Sequence, residues 1–126
     1  MPFRVDPPGD RWRWAEASAY IAVVEKMRAI AVMSAIAQPT RLEVLGLLAR
    51  AGHAGLTAGD LAAHAGAAPN TMSAHLTILN RAGLVTAQKT GRTVVYRAEP
   101  DTVGELSDFL LRNCRAKSGS TGKSSA

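Results

Sequence analysis

The sequence predicts a mainly helical chain with one β-hairpin, and three patterns support this prediction. Before residue 83, apolar residues recur at helical spacing in segments that prolines and glycines separate. Between residues 84 and 96 the apolar period changes to two residues, which is typical of strands. Pro100 then opens a last segment with helical spacing. The fold class is therefore mainly α with a hairpin (α+β).

Residues 57–97 contain the most informative pattern, which is two short helices, a turn and the hairpin. Thr57 and Asp60 fit a capping box, and Gly66 can end the first helix in the left-handed conformation. Pro69 suits the first position of the second helix. Two helices joined by so short a turn must cross steeply. This order predicts a winged helix-turn-helix in which the hairpin is the wing.

The second of these helices has two chemically different faces. Met72, Leu76 and Leu79 form an apolar stripe that must face a core. The opposite face and its flanks carry mostly short polar side chains: Asn70, Thr71, Ser73, Ala74, His75, Thr77, Ile78 and Arg81. Such a face suits a DNA major groove, where base edges offer donors and acceptors at close range. An ordinary solvated helix face is the alternative.

The hairpin pattern places residues 84–88 and 93–96 in strands, with Lys89 and Arg92 at the tip between them. Beside a DNA-reading helix, these cations can reach a phosphate or the minor groove. In an unrelated protein they would only keep a strand edge from aggregating.

Three segments, in this order, resemble the ArsR/SmtB family of bacterial winged-helix repressors. They are PTRLEVLGLL (39–48), SAHLTILNRAGLV (73–85) and TGRTVVYR (90–97), and the resemblance extends over about residues 30–115. It implies a homodimer that binds double-stranded operator DNA. It also implies that an effector, often a metal, couples to DNA release.

We assign base readout to five residues of the second helix and backbone contacts to the two wing cations. The base readers are Asn70, Thr71, Ser73, His75 and Thr77, and the phosphate or minor-groove contacts are Lys89 and Arg92. His75 is included because the family motif S-x-H-L has a DNA-facing histidine there. The helical wheel places it nearer the core, so contact and packing both stay open. Ala74 departs from the arginine of many members, so no particular operator sequence carries over.

The first and last helices indicate a dimer. The segment from about residue 13 to residue 37 ends in AIAVMSAIA, which is apolar on nearly every face, whereas so small a domain can cover only one side of it. The last helix has an apolar seam: Val103, Leu106, Leu110 and Cys114. In the resembled family these two helices pack across the dimer axis.

The helix between them is predicted to be scaffold. Thr40 and Glu43 fit a capping box, and Leu42, Leu45 and Leu48 are expected to form its buried face. Arg41 and Arg50 are expected on its exposed sides, either solvated or near a phosphate.

The metal sites found in members of the resembled family lack their ligands in this sequence. Thr57 and Gly59 stand where arsenic-type members carry Cys-x-Cys, and Asp101 is followed by Val103 where zinc-type members have histidine. We therefore expect no metal site and no cofactor. Cys114 either packs as a small hydrophobe or, paired across a dimer, forms a soft-metal site or a redox disulfide.

Composition limits the class of protein. The 126 residues suffice for one domain, and 15 Lys and Arg against 10 Asp and Glu give a net charge of +5, which favours a polyanionic partner. One cysteine, no apolar signal segment and no uninterrupted apolar span predict a cytoplasmic protein without a membrane partner. We expect a flexible arm over 1–12, a domain over 13–116 and a disordered tail over 117–126.

These patterns together predict a sequence-specific DNA-binding transcriptional regulator, a homodimeric repressor with an unidentified effector. The alternatives are a winged-helix protein-interaction module without DNA binding, and a repressor that responds to metalloid or oxidant through Cys114. An enzyme is not expected, because the sequence has no phosphate-cradling loop or HExxH motif. Ser73 and His75, two residues apart on a helix, point in different directions and make no nucleophile pair.

Overall fold

The structure, a computed structural model, describes residues 14–115 and the side chains from residue 18 onward. The predicted arm over 1–12 and tail over 117–126 lie outside the described residues. The elements in chain order are α1 (Trp14–Ile36), α2 (Pro39–Ala51), a 3-10 turn (Gly52–Ala54), β1 (Leu56–Thr57), α3 (Ala58–Ala65), α4 (Pro69–Arg81), β2 (Val85–Thr90), β3 (Thr93–Ala98) and α5 (Pro100–Cys114). This order confirms the predicted mainly helical fold with a hairpin.

One hydrophobic core lies where the helices meet the base of the hairpin. Its fully buried large side chains are Val32, Val44, Leu48, Leu61, Met72, Leu76, Leu79, Leu84 and Val85. These residues come from α1, α2, α3, α4, the turn after α4 and the start of β2, so each of these helices contributes an apolar face to the same core.

α1 buries only one side within the chain. Ala29, Val32 and Ala35 are buried, whereas Tyr20, Val23, Met27 and Ile30 on the opposite side are exposed. The spacing of the exposed residues is helical, so they form one continuous stripe. No helix within residues 14–115 is long and apolar enough to cross a membrane.

The predicted cap and buried face of α2 were partly wrong. Pro39 occupies the first turn and the Gln38 side chain accepts a hydrogen bond from Arg41 N at 2.8 Å, so the helix begins before Thr40. Val44 and Leu48 are the buried residues of α2, and Leu45 is partly buried against the core. Leu42, which was predicted to be buried, is 58% exposed.

The helix-turn-helix follows the prediction closely. Thr57 and Asp60 form the capping box, with Asp60 N donating to Thr57 Oγ1 at 3.1 Å. Gly66 ends α3 at φ 66°, in the left-handed region that residues with a side chain rarely adopt. Pro69 lies in the first turn of α4. These signals position α4 against α3 across a short turn.

The hairpin is longer than predicted and belongs to a three-stranded antiparallel sheet of order β1-β3-β2. β2 and β3 pair from Val85 opposite Ala98 to Thr90 opposite Thr93, so only Gly91 and Arg92 form the turn. Lys89 therefore lies within β2, paired with Val94, and not in the turn itself. The short β1 was not predicted.

α5 packs on the domain with a different face from the predicted seam. Thr102 and Leu106 are buried, whereas Val103, Leu110 and Cys114 are exposed. Thr102 is a buried polar residue because its hydroxyl donates to Gly83 O at 2.6 Å, which joins α5 to the end of α4. Of the predicted seam, only Leu106 belongs to the core of a single chain.

Candidate nucleic-acid interface

The two faces of α4 are separated as the sequence predicts. Met72, Leu76 and Leu79 are buried in the core. The residues of the opposite side and of one flank are exposed: Asn70, Thr71, Ser73, Ala74 and Thr77. The apolar stripe fixes how α4 is rotated, so these short side chains face outward together.

The N-terminus of α4 has no side-chain cap. The N-cap residue is Ala68, whose methyl group cannot accept a hydrogen bond, and Pro69 has no N–H. The first-turn amides of Asn70 and Thr71 therefore have no capping side chain. Exposed first-turn amides and the positive end of the helix dipole favour an anion such as a phosphate.

One hydroxyl on the outward face has a defined hydrogen-bonding role. Thr77 Oγ1 donates to Ser73 O at 3.0 Å, one turn earlier in the helix. Its single proton is used in this bond, so towards a ligand Thr77 offers lone pairs and a methyl group. It can accept from cytosine N4 or adenine N6, but it cannot donate without breaking the internal bond.

His75 lies on the side of α4 that faces α2, beside the buried stripe, and is half-buried. Arg41 Nη1 is 3.2 Å from His75 Nδ1, and Arg41 Nε donates to Ala35 O at 2.6 Å. A guanidinium can only donate, so we assign Nδ1 of His75 as the acceptor and Nε2 as the protonated ring nitrogen. The predicted exposed position of Arg41 was wrong, because this arginine reaches from α2 to both α1 and α4. Sequence reasoning considered Arg41 only as a solvated residue or a phosphate contact and missed its contact with His75.

The wing presents the two predicted cations to solvent. Lys89 in β2 and Arg92 in the turn are both exposed. Gly91, at φ 64°, allows the two-residue turn between the strands. A third cation, Arg97, is occupied at the base of the hairpin, where it donates to His53 O at 2.7 Å and to Gln88 Oε1 at 3.0 Å. Lys89 and Arg92 are thus carried by a braced hairpin.

Two of the positions discussed for metal ligands can be located in the structure. Thr57 caps α3, and Cys114 is an exposed free cysteine at the end of α5. Across residues 14–115, no three side chains of His, Cys, Asp or Glu are grouped so that they could hold a metal ion.

These elements define a winged helix-turn-helix. α4 presents a polar face outward, α3 precedes it across a short turn, and the hairpin of β2 and β3 adds a basic wing. Residues 36–88 match the model of a family described as a helix-turn-helix domain. The transcriptional repressor SdpR of Bacillus subtilis is 31% identical over 80 residues, which cover 64% of this chain and 86% of SdpR. YbzH of Bacillus subtilis, an uncharacterized HTH-type transcriptional regulator, is 44% identical over 41 residues. That match covers 32% of this chain and spans only 41% of YbzH.

Solved structures agree with these relatives. An ArsR-like transcriptional regulator from Rhodococcus sp. RHA1 is 30% identical with a TM-score of 0.62, covering 69% of this chain and 79% of that protein. A possible transcriptional regulator for arsenical resistance is 37% identical with a TM-score of 0.54, over 61% of this chain and 77% of its own. The chain belongs to the ArsR family of winged helix-turn-helix transcriptional regulators. Its family and fold are those of regulators and not of enzymes.

Proposed function

We propose that this protein is a homodimeric repressor that binds an operator of two inverted half-sites. In each subunit, α4 enters a major groove and the wing contacts the adjacent backbone or minor groove. The observation that carries the proposal is the outward face of α4, where exposed short polar side chains lie opposite a fully buried stripe.

The roles proposed for individual residues follow from exposure and chemistry. Asn70, Thr71, Ser73 and Thr77 are exposed and short enough to bring the helix close to base edges. An amide group such as that of Asn70 can pair with adenine through two hydrogen bonds. His75 lies to one side of this group and contacts DNA from the helix edge.

Lys89 and Arg92 hold the DNA backbone in this proposal. Both are exposed and project from a hairpin that Arg97 braces at its base, so they approach DNA at a fixed angle to α4. Contacts of this type set orientation and affinity, whereas base contacts set sequence preference. The net charge of +5 adds a general attraction to DNA.

The dimer is supported by the exposed stripe of α1. Tyr20, Val23, Met27 and Ile30 are 49%, 57%, 63% and 52% exposed, and they lie on the side of α1 that faces away from the core. A run of large apolar side chains on one face is typical of a protein interface. The predicted seam residues Val103 and Leu110 on α5 are exposed as well, which leaves them free for the partner subunit.

Repression is proposed from the related SdpR, which is a transcriptional repressor. A dimer bound to an operator near a promoter would exclude polymerase without further chemistry. No metal effector is part of the proposal, because Thr57 and Gly59 are not soft-metal ligands and Val103 cannot coordinate an ion.

The test is selection of bound sequences from a library of random DNA duplexes, followed by sequencing. We expect enrichment of an inverted repeat whose half-site centres lie about 10 base pairs, or a multiple of that, apart. Ser73→Ala should relax preference at symmetric positions of that repeat, whereas Ser18→Ala, at an exposed serine of α1, should not. If no sequence is enriched and no duplex binds at low salt, a protein-interaction module becomes the better interpretation.

A further inference from the structure

We infer that Arg41 is a positioning residue for DNA binding. Anchored on α1, its guanidinium holds His75 as the Nε2–H tautomer, so that the imidazole donates a hydrogen bond to a phosphate oxygen of bound DNA. The inference rests on the proposed function, because it concerns how the same interface is arranged.

The anchor is the C-terminal end of α1. Arg41 Nε donates to Ala35 O at 2.6 Å, and this carbonyl lies in the last turn of α1, where helix carbonyls lack partners within the helix. A cation is also favoured at this negative end of the helix dipole. Arg41 N in turn donates to Gln38 Oε1 at 2.8 Å, which fixes the start of α2. The arginine is therefore held by α1 and α2 before it reaches α4.

The second contact restricts the imidazole. Arg41 Nη1 lies 3.2 Å from His75 Nδ1, and both side chains are half-buried. Because Nδ1 must accept from the guanidinium, the ring proton is on Nε2. The two ring nitrogens point to different sides of the imidazole, so Nε2–H is directed away from Arg41. Nε2–H is then the hydrogen-bonding group that His75 has left for DNA. It can donate to an acceptor on DNA, but it cannot accept from a DNA donor.

The position of His75 favours phosphate over a base as that acceptor. The exposed side of α4 is centred on Asn70, Ser73, Ala74 and Thr77, and at 100° per residue His75 is turned about 150° from that centre, beside the buried stripe and towards α2. A side chain turned this far from the groove floor cannot reach a base edge, so the acceptor left to it is the sugar-phosphate backbone at the wall of the groove on the α2 side. A donor there sets the register of the helix without reading a base.

The first experiment does not require DNA. In the free protein at about pH 8.5, where an ordinary imidazole is uncharged, ¹⁵N chemical shifts should show His75 as the Nε2–H tautomer with a hydrogen-bonded Nδ1. In Arg41→Ala and Arg41→Lys the Nδ1 resonance should move towards that of a free acceptor nitrogen. Arg50→Ala is the matched control, because Arg50 is an exposed arginine of the same helix, nine residues and about 13 Å further along it. An Nδ1–H tautomer, or no response to either Arg41 variant, would overturn the inference.

The second experiment uses a double-mutant cycle on a duplex that the wild type selects from the random library. Arg41→Ala and His75→Ala should each weaken binding about tenfold, and the double variant should be little weaker than either single variant. Placing a methylphosphonate at successive positions should locate one phosphate per half-site whose loss affects wild type but not His75→Ala. Fully additive effects, or an Arg41→Ala effect equal to that of Arg50→Ala, would show that Arg41 contributes only charge.

The two experiments separate this inference from the proposed function. If wild type binds no duplex, the proposed function fails, whereas the tautomer measurement still reports on the contact between Arg41 and His75. If wild type binds and the cycle is additive, the inference alone fails. Thermal unfolding of each variant identifies loss of folding, and Arg41→Lys retains a cation at the site if Arg41→Ala does not fold.

Discussion

Neutralising the wing should change the salt dependence of DNA binding by an amount that can be worked out in advance. Lys89 and Arg92 are exposed at the end of the hairpin, and a dimer would present four such charges. Each phosphate contact contributes about 0.9 to the slope of log affinity against log salt, so Lys89→Ala with Arg92→Ala should lower the slope by up to about 3.6. Between about 50 and 200 mM salt, the affinity of the double variant should therefore fall roughly a hundredfold less than that of the wild type.

The assay is fluorescence anisotropy of a labelled duplex, titrated at several salt concentrations. The wild type should lose about a thousandfold or more in affinity over that range if it makes about 6 to 10 phosphate contacts. Arg92→Ala alone should lower the slope by up to about 1.8, whereas Arg50→Ala, with the same charge change on α2, should leave it nearly constant. Equal slopes for all variants would refute the role of the wing in phosphate contact. A loss confined to particular bases would make the wing a base reader.

Three further outcomes are expected. Thr77→Val should abolish preference at one symmetric pair of operator positions, at a cost of about 1 to 3 kcal/mol, whereas Thr77→Ser keeps the accepting oxygen and should retain it; duplexes with single base changes measure this. Met27→Asp should yield monomers in analytical ultracentrifugation, and Ala63→Asp, at an exposed site on α3, should remain dimeric; a dimeric Met27→Asp would contradict the α1 interface. Zinc, cadmium and arsenite should change operator affinity by less than about threefold, below ordinary allosteric coupling. A larger response that persists in Cys114→Ser would place an effector site elsewhere.

The ends of α3 and the start of α4 were predictable because their signals are local. The capping box of Thr57 and Asp60, the left-handed Gly66 and the first-turn prolines act within a few residues of the chain. The stripe of Met72, Leu76 and Leu79 also fixes which side of α4 is buried. A pattern of this kind needs no knowledge of the neighbouring helices.

The misses concern features that depend on partners elsewhere in the chain. β1 has only two residues, too few for a period, and it exists because Leu56 and Thr57 pair with Tyr96 and Val95 of β3. Thr102 is polar and was not among the predicted core residues, yet it is buried with its hydroxyl donating to Gly83 O. A hydrophobicity pattern cannot predict either feature, because the pairing of β1 and the burial of Thr102 both depend on hydrogen bonds to distant residues.

His75 shows the same limit within the proposed interface. A helical wheel gives its direction relative to α4, and that direction left DNA contact and core packing equally open. The structure adds a side chain from another helix, because Arg41 of α2 contacts Nδ1 of His75 while it is bonded to the end of α1. One imidazole can then be partly buried and still have a free donor, so packing and contact are not exclusive. If α1 is the dimer helix, as proposed, this arginine also joins the dimer interface to the DNA-binding helix through two hydrogen bonds. A change in how two subunits meet would then reach His75 without a separate effector site.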